Sequence, residues 1–124
     1  MAVSHLLLVS INGRRREVKL TWGHWLPRLL RSGAITISGR RILFKRSPFG
    51  PVRVAPILIA HEIVHVAQVA AWGLVGYYRR AFWQWLTIRI HDERPIEIAA
   101  NMAQTRVLLG THPTIRILSP IPGA

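Results

Sequence analysis

The sequence has no cysteine. A disulfide framework and any thiolate metal site are thereby excluded, and a bound metal would have to be held by imidazole and carboxylate groups. Acidic residues are also scarce. Five Asp plus Glu stand against seventeen Lys plus Arg, fifteen of them Arg, for a formal net charge of +12. A field of that sign draws in phosphate backbones, anionic lipid headgroups or acidic peptides, and it steers encounter more than it shapes a fold. The bland alternative is a solvated basic surface with no partner. Long hydrophobic runs are missing too: no uninterrupted apolar stretch has the about 20 residues that cross a bilayer. His5–Ile11 is too short for a secretory signal, and Arg14–Arg16 follow it rather than precede it. The expectation is a cytoplasmic chain without signal peptide or transmembrane segment.

What is present is enough for a core. Half of the 124 residues are apolar, five of them Trp, so a single domain spanning 1–124 can be built without covalent staples. Leu6–Ile11, the Asn12-Gly13 turn signal and the alternating Glu17–Trp22 predict a β-hairpin. Trp25–Arg31 predicts a short helix ended by Gly33. Ile35–Ile37, Ser38-Gly39 and Arg40–Arg46 predict a second hairpin, and the prolines and glycine of Ser47–Pro51 predict a loop. Helices follow: Pro56 to about Trp72, a break at Gly73 and Gly76, an aromatic helix from Tyr77 to about Ile90, and a third that Asp92–Pro95 open and Gly110 closes. The tail, with Pro113, Pro120 and Pro122, reads as irregular. The fold class is α+β: a small N-terminal sheet of antiparallel hairpins, then three helices.

The chemistry concentrates in the first long helix, Pro56-Ile-Leu-Ile-Ala-His-Glu-Ile-Val-His-Val-Ala-Gln-Val-Ala-Ala71. Its strongly polar side chains are His61, Glu62, His65 and Gln68. A helix apolar almost all round is buried, and buried polar groups are costly unless they find partners. His61 and His65 stand one turn apart on one face, where two imidazoles can reach a single ion. Glu62 lies about 100° further round, beside such an ion rather than on it, where a carboxylate can move protons. The pattern is HExxH, and the competing account is a pair of core histidines bonded to backbone or to Glu62. A catalytic zinc site wants a third protein ligand. Downstream of His65 the carboxylates are Asp92, Glu93 and Glu97. The first two suit the helix opening at Pro95, whereas Glu97 starts a polar stripe with Asn101 and Gln104 on an otherwise apolar helix. Facing stripes would close a His-His-Glu site, with Asn101 placed to hold a ligand histidine's second nitrogen. Read blandly, Glu97, Asn101 and Gln104 are a solvent face.

Ala60-His-Glu-Ile-Val-His-Val-Ala-Gln68, the aromatic helix, and Arg94-Pro-Ile-Glu-Ile-Ala-Ala100 together resemble the minigluzincin-like metallopeptidases, compact relatives of the thermolysin-type zincins. The resemblance is strongest over 34–105, and the first thirty residues fall outside it. It implies a zincin-like domain with one zinc per chain at His61, His65 and Glu97, and Glu62 as general base. It also implies a strand of the preceding hairpin, Ile42, Leu43, Phe44 and Lys45, as the cleft edge to which a substrate backbone adds. Arg94 stands where the family has Asn, and His91 where relatives often have Tyr. If that tyrosine stabilises an oxyanion, His91, Tyr77 or Tyr78 has to substitute; otherwise His91 is an ordinary loop histidine.

The expectation for function is a zinc metallopeptidase acting on a peptide or protein substrate. The alternative is a zincin scaffold that binds nucleic acid, a membrane or a protein through its basic surface without catalysis, using Arg14–Arg16, Arg40, Arg41, Lys45, Arg46, Arg79 and Arg80. For the aromatic helix, core packing or a dimer contact is the ordinary reading, and membrane contact the less expected one.

Overall fold

Both hairpins form because their turns can take left-handed backbone at two successive positions. Asn12 and Gly13 (φ 53° and 78°) join β1 (Val3–Ile11) to β2 (Arg14–Trp22), and Ser38, Gly39 and Arg40, the first two at φ 56° and 68°, join β3 (Ala34–Ile37) to β4 (Arg41–Phe44). That pair of conformations matches the twist of the flanking strands. Between the hairpins lies α1 (Trp25–Leu29), and after β4 come α2 (Pro56–Thr87), a 3-10 turn at His91–Glu93, α3 (Pro95–Leu109) and β5 (Ile115–Ile117). The computed structural model describes residues 3–29, 33–47 and 55–122. The end of the helix expected at Arg31, and the loop expected at Ser47–Pro51 beyond Ser47, lie outside the described residues. The α+β class holds: a five-stranded sheet with helices.

Sheet order is β3-β4-β2-β1-β5. Three features depart from the sequence reading. The sheet is mixed, since β4 runs parallel to β2 with Lys19, Leu20 and Thr21 opposite Arg41, Ile42 and Leu43. The strand proposed as cleft edge, Ile42–Lys45, is therefore internal: β4 is paired on both sides, Ile42, Leu43 and Phe44 are buried, and β3 is the edge. Thirdly, the tail is not wholly irregular, because Ile115–Ile117 pair with Val9–Ile11 as β5, and Leu8 accepts from Leu118.

The core lies between one sheet face and the helices. Leu7, Val9, Val18, Leu20, Ile42 and Phe44 meet Ile59, Ala60, Ile63 and Val66 of α2 and Ala100 and Val107 of α3 in one buried cluster. The two N-terminal strands, together with β4, thus supply the floor on which α2 rests. At about 25 cal/mol per Å², each fully buried large aliphatic contributes about 1.5–3 kcal/mol. By length and composition α2, with 32 residues, is apolar enough to cross a membrane. Its stretch Ile59–Val66 is wholly buried in this core. The predicted break is real, with Gly73 at φ 73° and ψ 165° between two helical halves. The kink redirects the chain, yet the two halves stay in contact: Tyr77 packs with Val69 and meets the rings of His65 and Trp72.

Gly39 is held by two constraints at once. Its backbone is left-handed, and an added Cβ would lie 2.7 Å from Val69 Cγ1 on α2. Gly39→Ala is expected to destabilise by about 2–4 kcal/mol, combining the left-handed penalty with overpacking. At Gly13, also left-handed, no atom lies within 4 Å of an added Cβ. Gly13→Ala should therefore cost only about 1–2 kcal/mol. Denaturant midpoints of the two variants would check the difference, and equal losses would refute the Val69 contact.

Candidate metal centre

The buried first half of α2 delivers His61 and His65 side by side, with ring centroids 4.9 Å apart and nearly perpendicular. Both Nε2 atoms turn toward α3, where Glu97 Oε1 stands 2.9 Å from each; the two nitrogens are 3.2 Å apart. Ligand atoms at about 2.0–2.1 Å from a tetrahedral ion stand about 3.3 Å from one another. The observed triangle is within a few tenths of an ångström of that, and among the described residues it is the one His/Asp/Glu group of three that could hold a metal ion.

The outer nitrogens decide the chemistry of this triangle. His65 Nδ1 lies 2.8 Å from Gln68 Oε1, while the Gln68 amide Nε2 donates to the Ile96 carbonyl at 3.1 Å. That second bond fixes which way the amide faces, so Nδ1 must donate. His61 Nδ1 likewise donates to Gln104 Oε1 at 2.8 Å. In neutral imidazoles with Nδ1 protonated, each Nε2 presents a lone pair. Two lone pairs and a carboxylate oxygen then converge on one point, which is repulsive unless protons or a cation lie between them. Two imidazoles and one carboxylate are a donor set suited to a divalent ion of the zinc or iron type.

Without a metal, protons fill that role. Burial alone would lower the pKa of His65, but the hydrogen bond to Glu97 and the charges of Glu62 and Glu97 outweigh it and raise the imidazole to about 9. His61 is raised in the same way: burial and the neighbouring His65 lower it, but the bonds to Glu97 and Gln104 and the charge of Glu62 together outweigh them. For Glu97, burial would raise the carboxyl, but hydrogen bonds from His61 and His65 hold it well below the usual carboxylate range.

Glu97 is steadied through its neighbour. Both backbone polar groups of Ile96 are held by α2 glutamines: Gln84 Oε1 accepts from its N–H at 3.0 Å, and Gln68 takes its carbonyl. Arg94 donates from Nε to the Ile88 carbonyl and so ties the start of α3 to the end of α2. Ala100, one turn beyond Glu97, is fully buried, and its small side chain lets α3 approach α2.

Glu62 is buried beside the triangle and not part of it. Thr36 Oγ1, from edge strand β3, donates to Glu62 Oε2 at 2.8 Å. The two carboxyl-bearing positions face a cavity of about 310 Å³ lined also by Gly33–Thr36, Leu58, Tyr77, Tyr78, Ala81 and His91. Tyr77 meets His65 edge-on. Burial, then the charges of Glu62 and Glu97, push its phenol up, so it stays a donor. The Tyr78 hydroxyl donates to the Thr36 carbonyl at 2.9 Å and accepts from Ser38 N–H at 3.3 Å, so it is committed to the β3 edge. His91 is largely exposed at the rim, its Nε2 3.3 Å from Glu97 Oε2.

The site thus joins His61, Glu62, His65, Gln68 and Glu97, with His91 at its mouth. Asn101 is exposed and does not hold a histidine; Gln104 does. Thr36 and Gln84 were missed by sequence reasoning. The alternation of Ile35, Thr36 and Ile37 reads with the isoleucines inward, whereas Thr36 is the buried one, so no sequence signal marked it. No known family's profile, no curated protein and no solved structure matches the chain, so these side chains are its functional evidence.

Proposed function

We propose that the chain is a zinc-dependent peptidase. The observation that carries this reading is the convergence of His61 Nε2, His65 Nε2 and Glu97 Oε1, with both Nδ1 protons turned away onto glutamines. His61, His65 and Glu97 would hold the ion, and the likeness of the two helices to the minigluzincin-like peptidases supports the same set. Zinc bound there supplies Lewis acidity toward water and toward a carbonyl oxygen. Glu62 takes the proton from the attacking water at Oε1 and returns it to the departing amine, while Thr36 keeps Oε2 in place. Tyr77 and His91, both lining the cleft, are the donors available to the carbonyl oxygen as charge develops on it. Edge strand β3, rather than β4, offers the main-chain rim along which a peptide could lie.

The test is metal content, by plasma mass spectrometry, of protein purified without added metal and after reconstitution. About one zinc per chain is the expected result for a three-ligand site with an open position. Zinc absent even after reconstitution would overturn the reading.

The glutamines should matter for affinity. Gln68→Ala removes the acceptor of His65 Nδ1 and the grip on Ile96 together. Zinc affinity is expected to weaken by about 10–100-fold, measured by competition with a chromophoric chelator. Asn101→Ala should leave it unchanged.

A further inference from the structure

Beyond the kink, α2 turns an apolar side to solvent. Tyr77, Ala81 and Gln84 face inward, Tyr77 and Ala81 packing with Val69 and Ile96. At about 100° per residue, the exposed Leu74, Trp85, Tyr78, Phe82, Val75 and Leu86 fall on one arc of about 120°. Phe82, Trp83 and Trp85 are 62%, 67% and 61% exposed. Trp83 lies just past the arc, between Arg79 and Arg80 on the helix. The core reading of this aromatic segment is therefore wrong within the chain: its inward stripe is narrow and its largest side chains are outside.

We propose that this face docks the protein onto an anionic lipid surface. Exposed Trp and Phe suit the boundary between headgroups and acyl chains, and the charges beside them have one sign. Arg79 borders the arc, about 20° past Leu86, Arg89 follows the end of the helix, and no acidic residue occurs from Ile63 to His91; Arg80 lies on the opposite side, over the Trp72 ring. Basic residues beside an interfacial helix are attracted to anionic headgroups. The same charges argue against a second copy as the occupant, because a self-complementary contact would gather these arginines from two +12 chains with no acid on the face to offset them. Insertion across the bilayer is not the mode, since the preceding half of α2 is in the core. Tyr78 and Ala81 line the metal-site cleft as well, so docking holds that cleft next to the lipid. The docking surface does not depend on the peptidase reading.

The full-length protein would be floated with vesicles of phosphatidylcholine mixed with phosphatidylglycerol, and with phosphatidylcholine alone. Binding to the anionic vesicles with a blue shift of tryptophan emission is expected. Phe82→Glu/Trp85→Glu should weaken it at least tenfold (about ten or more, from two lost apolar anchors), whereas Arg14→Gln/Arg15→Gln on the distant hairpin should change it by less than about threefold. Glu62→Gln should bind as wild type. A measurement independent of folding of the charged variant uses brominated lipid: quenching of wild-type emission, lost in Trp83→Phe/Trp85→Phe while binding persists. Absence of binding to anionic vesicles would overturn the proposal. So would equal loss in the Arg14/Arg15 variant with none in the Phe82/Trp85 variant. A dimer, or a DNA complex, abolished by Phe82→Glu/Trp85→Glu in place of vesicle binding would assign the face to that occupant and refute the lipid surface.

Discussion

Glu62→Gln is expected to lower peptide cleavage by on the order of a thousandfold, within the range that a positioned general acid–base contributes, and to leave zinc content unchanged. The substitution keeps shape and keeps the Thr36 bond, because Thr36 Oγ1 donates and an amide oxygen can accept it as the carboxylate Oε2 does. It removes only the ability to hold a proton. Glu62 lies outside the His61–His65–Glu97 triangle, so its charge is not needed to retain the ion. Cleavage of a quenched fluorescent peptide library, with metal content measured on the same preparation, separates the possibilities. Unimpaired cleavage by the variant would remove Glu62 from the mechanism. A zinc-loaded wild type that cleaves no library member would sink the peptidase reading and leave the metal centre standing.

The parts of the site that the sequence disclosed are those fixed by helix geometry alone. His61 and His65 at i and i+4 must share a face, and Glu62 must lie to one side. Glu97 could be picked out because its helix is otherwise apolar. The failure at Asn101 has the same geometric origin. From Glu97, position i+4 is rotated by about 40° in one direction and i+7 by about 20° in the other, so Gln104 stays nearer the direction in which Glu97 points. Sheet order was not legible, because the parallel pairing of β4 with β2 is a non-local consequence of how α1 carries the chain over. With it went the identity of the edge strand. β5 escaped notice because three residues between prolines carry no usable alternation. The exposed aromatic arc could not be told from core by composition either: both read as Trp, Phe and Leu, and only the position of the inward stripe at Tyr77, Ala81 and Gln84 distinguishes them.

His65→Ala and Glu97→Ala are each expected to abolish stoichiometric zinc binding and, with it, the stabilisation that zinc gives. At a free metal concentration about a thousand times Kd, that stabilisation is about 4 kcal/mol, on the order of 10–15 °C in Tm for a domain of this size. Wild-type protein treated with a chelator should lose the same increment, whereas the two variants should not respond to zinc at all. The pH dependence has a definite sign. In the metal-free protein His65 is raised to about 9, so at neutral pH it is protonated and zinc must displace that proton. Zinc affinity should therefore rise by about tenfold per pH unit for each proton released, and should stop gaining from His65 above about pH 9. Metal-free stability runs the other way. A raised His65 contributes its full share below the unfolded value of 6.5 and loses it as pH rises through about 9. The depressed Glu97 contributes above its unfolded value of 4.5 and loses that share only in stronger acid. Thermal melts from pH 5 to 9 with and without zinc should then diverge, the zinc increment growing with pH while the metal-free protein weakens. An increment that is flat with pH would mean that zinc binds somewhere other than on His65.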